Sequence, residues 1–142
     1  MTSIDFYFNA ADRLQVACRI AAKAVGERKR MLVYAPDAEV ASHLDRLMWT
    51  WPATGFVPHC AADDALAPET PVLISRDDRA PADIPLLLNL SGDCPPHFAS
   101  FERLFEVVAT DEAEREAART RFRTYKARGY AIASHDLARD DG

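Results

Sequence analysis

"PVLISRDDRAPADIPLLLNL", residues 71–90, sets two apolar runs, PVLIS (71–75) and PLLLNL (85–90), on either side of a polar loop. Neither run alternates apolar with polar residues. A strand with one wet face is hydrophobic at every second position, whereas a strand covered on both faces is a continuous apolar run. These two segments are therefore expected to be interior strands of a parallel sheet with helices above and below it. The loop between them carries Asp77 and Asp78 flanked by Arg76 and Arg79, a solvated charge cluster rather than an acid–base pair.

Working outward, "IDFYFN" (4–9) reads as another buried strand, ended by Asn9 and Asp12. Leu14, Ala17, Cys18, Ala21, Ala22 and Val25 then recur at helical spacing up to Gly26. "RMLVYA" (30–35) is a strand stopped by Pro36, and Asp37 is placed to cap a helix whose stripe is Val40, Ala41, Leu44, Leu47 and Met48. Prolines 52, 58, 68 and 71 with Gly55 make residues 52–71 a surface loop. "PHFASF" reads as a short helical turn, "LFEVVA" (104–109) as a strand, and Thr110 or Asp111 as the start of a last long helix reaching Gly129. Residues 136–142 are expected to fray. Strands alternating with helices imply a single α/β domain over residues 1–142. Its expected form is a Rossmann-like three-layer fold, a mainly parallel sheet with helices on both faces.

Several chemistries are unsupported. The first strand-to-helix turn, "NAADRL", has no glycine, and neither G-x-G-x-x-G nor G-x-x-x-x-G-K-[ST] occurs, so no nucleotide site and no cofactor are expected. His43, His59, His97 and His135 lack metal-ligand spacing, and the adjacent His59 and Cys60 read as a loop pair. "SGDC" (91–94) runs into Pro95 and Pro96 and reads as a turn rather than a nucleophile elbow. No residue is therefore assigned to catalysis, cofactor or metal. Cys18, Cys60 and Cys94 form no C-x-x-C pair, which fits a reduced compartment, and no apolar run is long enough for a membrane, so a cytoplasmic location is expected.

The net charge is −5, too acidic for a protein whose whole surface grips phosphate, so any anion site must be local. Six basic residues nevertheless gather between 115 and 128, against one acid, Glu116, with Phe122 and Tyr125 among them. Unrolled at roughly 100° per residue, Arg115, Arg119, Arg123 and Lys126 share one sector bordered by Phe122. Ala113, Ala117, Thr120, Thr124 and Ala127 share another, a small-residue stripe expected to pack on the sheet. The basic sector reads as a solvated face, a nucleic-acid site or a dock for an acidic partner. Arginine's planar fork beside an aromatic suits a peptide carboxylate better than a long DNA backbone. "LMWTWPATGFVPH" (47–59) is a second candidate surface, with Trp49, Trp51 and Phe56 around prolines.

Together "DFYF", "KRMLVYAPDAEVASHLDRLMWTWPATGFVPH" (29–59), "LLLNLSGDCPPHFASFERLFEVV" (86–108) and "RTRFRTYKARGY" (119–130) resemble the chi subunit of bacterial DNA polymerase III, over nearly the whole chain and in order. The resemblance implies a non-catalytic accessory protein of the clamp loader, Rossmann-like but without a nucleotide. It implies that the basic helix grips the acidic C-terminal tail of single-stranded-DNA-binding protein, a tail ending in Pro-Phe with a free carboxylate. The matching positions are Arg119, Phe122 and Arg123, with Arg115 one turn earlier and Lys126 completing the basic sector. It further implies that Trp49 and Phe56 belong to a second surface for the psi subunit or another clamp-loader component, with a helicase as an alternative partner. DNA would be reached only indirectly. The competing reading is a direct single-stranded nucleic-acid binder using the same arginines and Phe122.

Overall fold

The computed structural model describes residues 1–50 and 57–138. Within them the chain runs β1 (Ser3–Ala10), α1 (Arg13–Gly26), β2 (Met31–Tyr34), α2 (Ala38–Thr50), β3 (His59–Ala61), β4 (Val72–Ser75), β5 (Leu86–Asn89), β6 (Arg103–Ala109), α3 (Glu112–Ala127) and β7 (Ile132–Asp136). Single 3₁₀ turns lie at Ala67–Glu69 and Phe98–Ser100. The strands form one seven-stranded sheet in the order β3-β4-β2-β5-β6-β1-β7, and every adjacent pair is parallel. This is the α/β three-layer arrangement expected, with a sheet that is wholly rather than mainly parallel.

The two unalternated runs became β4 and β5, which flank β2, and all four residues of each are buried. Met31, Val33, Val72, Ile74, Leu86 and Leu88 share a core with Ala17, Ala21, Leu44 and Met48 of α1 and α2. Leu32, Leu73, Leu87, Leu104, Ile4 and Phe6 pack on the opposite face with Phe98 and with Ala118 and Tyr125 of α3. Two-sided burial is the reason that these strands show no period of two.

Each helix starts where an aspartate can take its free N–H groups. Asp12 Oδ1 accepts from the backbone N–H of Leu14 and Gln15, Asp37 Oδ1 from Glu39 and Val40, and Asp111 Oδ2 from Glu114. Beyond α3 the chain turns at Gly129, whose φ of 84° is a left-handed conformation that glycine adopts without a Cβ clash.

Two strands escaped the sequence reading. β3 lies inside residues 52–71, read as loop; it is three residues long and follows Pro58 directly, too short for any period to show. β7 lies beyond the last helix and forms the sheet edge beside β1. Asp136, where fraying was expected to begin, is still in β7 and accepts a 2.9 Å hydrogen bond from Asn9 Nδ2. Leu137 N–H donates to Phe8 O. Among the described residues no helix is long and apolar enough to cross a membrane.

Candidate functional site

Helix α3 meets the sheet through Ala118, Arg121 and Tyr125, which are buried. The small-residue stripe expected there lies to one side instead: Ala113, Thr120 and Ala127 are exposed, and Ala117 and Thr124 are half-buried. The reason is Glu106 on β6, which is fully buried and faces α3. It accepts from Arg121 Nε at 3.1 Å, from Tyr125 OH at 2.7 Å and from Asn89 Nδ2 at 3.0 Å. An arginine and a tyrosine therefore turn inward where size alone would have chosen alanine, because a buried carboxylate requires donors.

That rotation fixes what faces outward. Arg115, Arg119, Phe122 and Arg123 line one groove of about 370 Å³ with Phe6 and Phe8 of β1, Asn9, Val108 and Ser134 of β7. Four of the five residues expected to meet an acidic tail are thus brought together. Lys126 is exposed and does not line the groove. The floor is aromatic: Phe122 sits edge-on to Phe6 with centroids 5.4 Å apart, and Phe6 leads on to Tyr125 at 6.0 Å. Arginines beside aromatic rings have the chemistry to meet a ligand carrying both a carboxylate and an apolar group.

Arg119 is not isolated, although few acids relieve the basic sector in the sequence. Its Nη1 lies 2.7 Å from Glu116 Oε2 and 3.2 Å from Glu112 Oε1. The hydrogen bond that Arg119 donates to Glu112, the charge of Glu112 and the same contributions of Glu116 hold the guanidinium above its ordinary pKa.

Phe6, Phe8, Asn9 and Ser134 were missed by the sequence reading. The alternating Phe6 and Phe8 of "DFYF" carried a signal, since one of the two faces of β1 had to take both rings. Asn9 gave none; it has a positive φ of 63° at the register shift that ends β1's regular pairing with β6.

At the carboxyl edge of the sheet, where open α/β folds admit ligands, a hollow of about 330 Å³ is lined by Arg13, Asp37, Leu90, Glu114 and Arg121. The Asp12 carboxylate takes the N–H groups that a phosphate would need. Arg13 crosses the crevice, donating to Leu90 O at 3.2 Å and pairing with Glu114 at 3.3 Å. Among the described residues no group of three or more His, Cys, Asp or Glu could hold a metal ion. In the SGDC segment, the Ser91 hydroxyl lies within hydrogen-bond reach of Asn89 Oδ1 and Asp93 O, able to donate to either, which closes a turn. Burial raises the Cys94 thiol pKa, and it raises that of Cys18 to about 11, so neither is a ready thiolate.

At the second candidate surface, Trp49 near the end of α2 is 59 % exposed, its ring 4.9 Å from that of His59. Trp51 and Phe56 lie outside the described residues. His59 belongs to β3, with its ring nitrogens facing Val57 O and Asp45.

The family model "DNA polymerase III chi subunit, HolC" matches residues 1–133. The DNA polymerase III subunit chi of Pseudomonas aeruginosa is 36 % identical over 143 residues, covering 98 % of this chain and 99 % of that protein. Its namesakes in Escherichia coli and Haemophilus influenzae are 28 % and 27 % identical, covering 83 % and 87 % of this chain and 81 % and 86 % of their own. Among solved structures, the C-terminal domain of S. cerevisiae Dbp5, bound to Gle1 and IP6, superposes with a TM-score of 0.58. That alignment covers 95 % of this chain and 90 % of the other at 9 % identity, a likeness of fold alone. Matched by the family model over residues 1–133 and by a relative over 98 % of its length, the chain belongs to the DNA polymerase III chi subunits, non-catalytic accessory subunits of a DNA-replication machine.

Proposed function

We propose that this chi subunit links the clamp-loader complex, in the cytoplasm, to single-stranded-DNA-binding protein by gripping that protein's acidic C-terminal tail. The observation that carries this reading is the groove in which Arg115, Arg119 and Arg123 stand beside Phe6, Phe8 and Phe122. The tail's acidic side chains and terminal carboxylate would meet the arginines, and its terminal phenylalanine the ring floor. DNA is then engaged through the partner rather than by this chain. The compact groove, with its aromatic lining, favours a short peptide over a long phosphate backbone.

A second contact, with psi, another clamp-loader component or a helicase, would use Trp49, and its 59 % exposure supports that reading. Calorimetric titration with an acidic peptide ending in Pro-Phe tests the groove. The free-acid peptide should bind, its C-terminal amide should bind more weakly, and a single-stranded oligonucleotide should not compete. Oligonucleotide binding without peptide binding would replace this reading with that of a direct nucleic-acid binder.

A further inference from the structure

Arg119 lines the groove and is also held from behind. Glu112, Glu116 and Arg119 stand at i, i+4 and i+7 of α3, and one guanidinium nitrogen contacts both carboxylates, at 3.2 and 2.7 Å. Both acids are largely in water, with side chains 72 % and 64 % exposed, so these are exchangeable surface pairs. Arg115 and Arg123, which share the groove, have no carboxylate partner among the described residues. Of the groove's three cations, one is therefore already satisfied.

Resting on the reading of this groove as an acidic-peptide site, we propose that Glu112 and Glu116 are internal competitors for the ligand. They hold Arg119 in the free protein and must yield it, wholly or in part, to an incoming carboxylate. Because they are tethered to the same helix, their effective concentration at Arg119 is far above that of any free anion. A single small anion cannot displace them. A ligand that brings several carboxylates and an aromatic ring can, because its other contacts with Arg115, Arg123 and the ring floor offset the exchange. The pair of glutamates thus lowers affinity and raises selectivity for multiply acidic peptides. It also keeps the bound state readily reversible.

The test uses the full chain and a fluorescent acidic peptide ending in Pro-Phe with a free carboxylate. Glu112→Gln/Glu116→Gln should bind it about two- to tenfold more tightly than wild type, as expected from removing two exposed ion pairs. Glu114→Gln removes one negative charge from the same helix, against two in the double variant, at a residue that pairs with Arg13 instead. It should alter affinity by less than about twofold. In an Arg119→Ala background the gain from the double glutamine change should shrink to no more than the square of the Glu114→Gln fold-change, as expected for two charges removed rather than one. Equal or weaker binding by the double variant would overturn the proposal, since the acids would then be orienting Arg119 for its ligand. A gain that persists without Arg119 would overturn it as well, reducing the effect to overall charge. If wild type and variants alike fail to bind the peptide, the groove assignment itself falls, and this inference with it.

Discussion

Arg121 Nε lies 3.1 Å from Glu106 Oε1 at the contact between α3 and β6, and the two side chains are only 7 % and 0 % exposed. Arg121 Nη1 also donates to Gly92 O, so one guanidinium ties α3 to β6 and to the loop after β5. Burial pushes the Glu106 carboxyl pKa up, while the Arg121 charge and the hydrogen bonds from Tyr125 and Asn89 oppose it. Removing either partner strands a buried charge. Arg121→Ala or Glu106→Ala should each cost about 3–5 kcal/mol, whereas Glu106→Leu/Arg121→Met should cost much less than the sum. Urea unfolding measures this, and single variants within about 0.5 kcal/mol of wild type would contradict the network's role.

Arg119→Ala should weaken peptide binding by about ten- to hundredfold, through loss of a charge-assisted pair, and should flatten the dependence of affinity on salt. Since Arg119 is exposed and on the outer side of its helix, thermal stability should hardly change. Phe122→Ala should weaken binding while keeping the wild-type salt slope. Its ring packs on Phe6, so this variant should also lose about 1–3 kcal/mol of stability. Titrations of both proteins at low and high ionic strength separate the two effects.

Trp49→Ala should cost little stability, because the residue is more than half exposed. It should weaken a clamp-loader-side partner by about 2 kcal/mol or more, with the tail peptide bound as by wild type. Pulldown of clamp-loader components against the two proteins checks the first expectation and calorimetry the second. Unchanged partner capture would remove Trp49 from that surface.

Asp5 on β1 accepts from Arg103 Nη2 at 2.7 Å and lies 3.0 Å from His135 Nε2. Burial pushes its carboxyl up, but the His135 and Arg103 hydrogen bonds and charges outweigh it and leave the pKa below the ordinary carboxylate value. A depressed folded pKa means that Asp5 stabilises the fold fully above about pH 4, the unfolded range, and that this contribution is lost as pH falls through the folded value. Asp5→Asn should therefore be less stable than wild type at about pH 5, with the gap closing on acidification to about pH 2. Chemical unfolding across that series decides it; a gap independent of pH would show that the carboxylate's charge is not the cause.

The fold was legible where chemistry is local. Continuous apolar runs at 71–75 and 85–90 announced strands covered on both faces, and Asp37 caps its helix as expected, while the helices expected to start at Asp12 and at Thr110 or Asp111 are capped by Asp12 and Asp111. The basic sector of α3 was legible too, because Arg115, Arg119, Arg123 and Phe122 lie on one helix and their spacing alone places them together. What lay beyond one element was not. Arg121 counts as one more basic residue until Glu106, fifteen positions away on β6, is brought beneath it and draws it inward. Tyr125 turns in for the same reason. The groove's far wall comes from β1 and from Ser134 of β7, a strand with little pattern of its own that exists because β1 offers an open edge to pair with. Sequence periodicity records which residues of one element share a face; whether that face meets water, a lone buried carboxylate or the wall of a groove depends on what the rest of the chain packs against it.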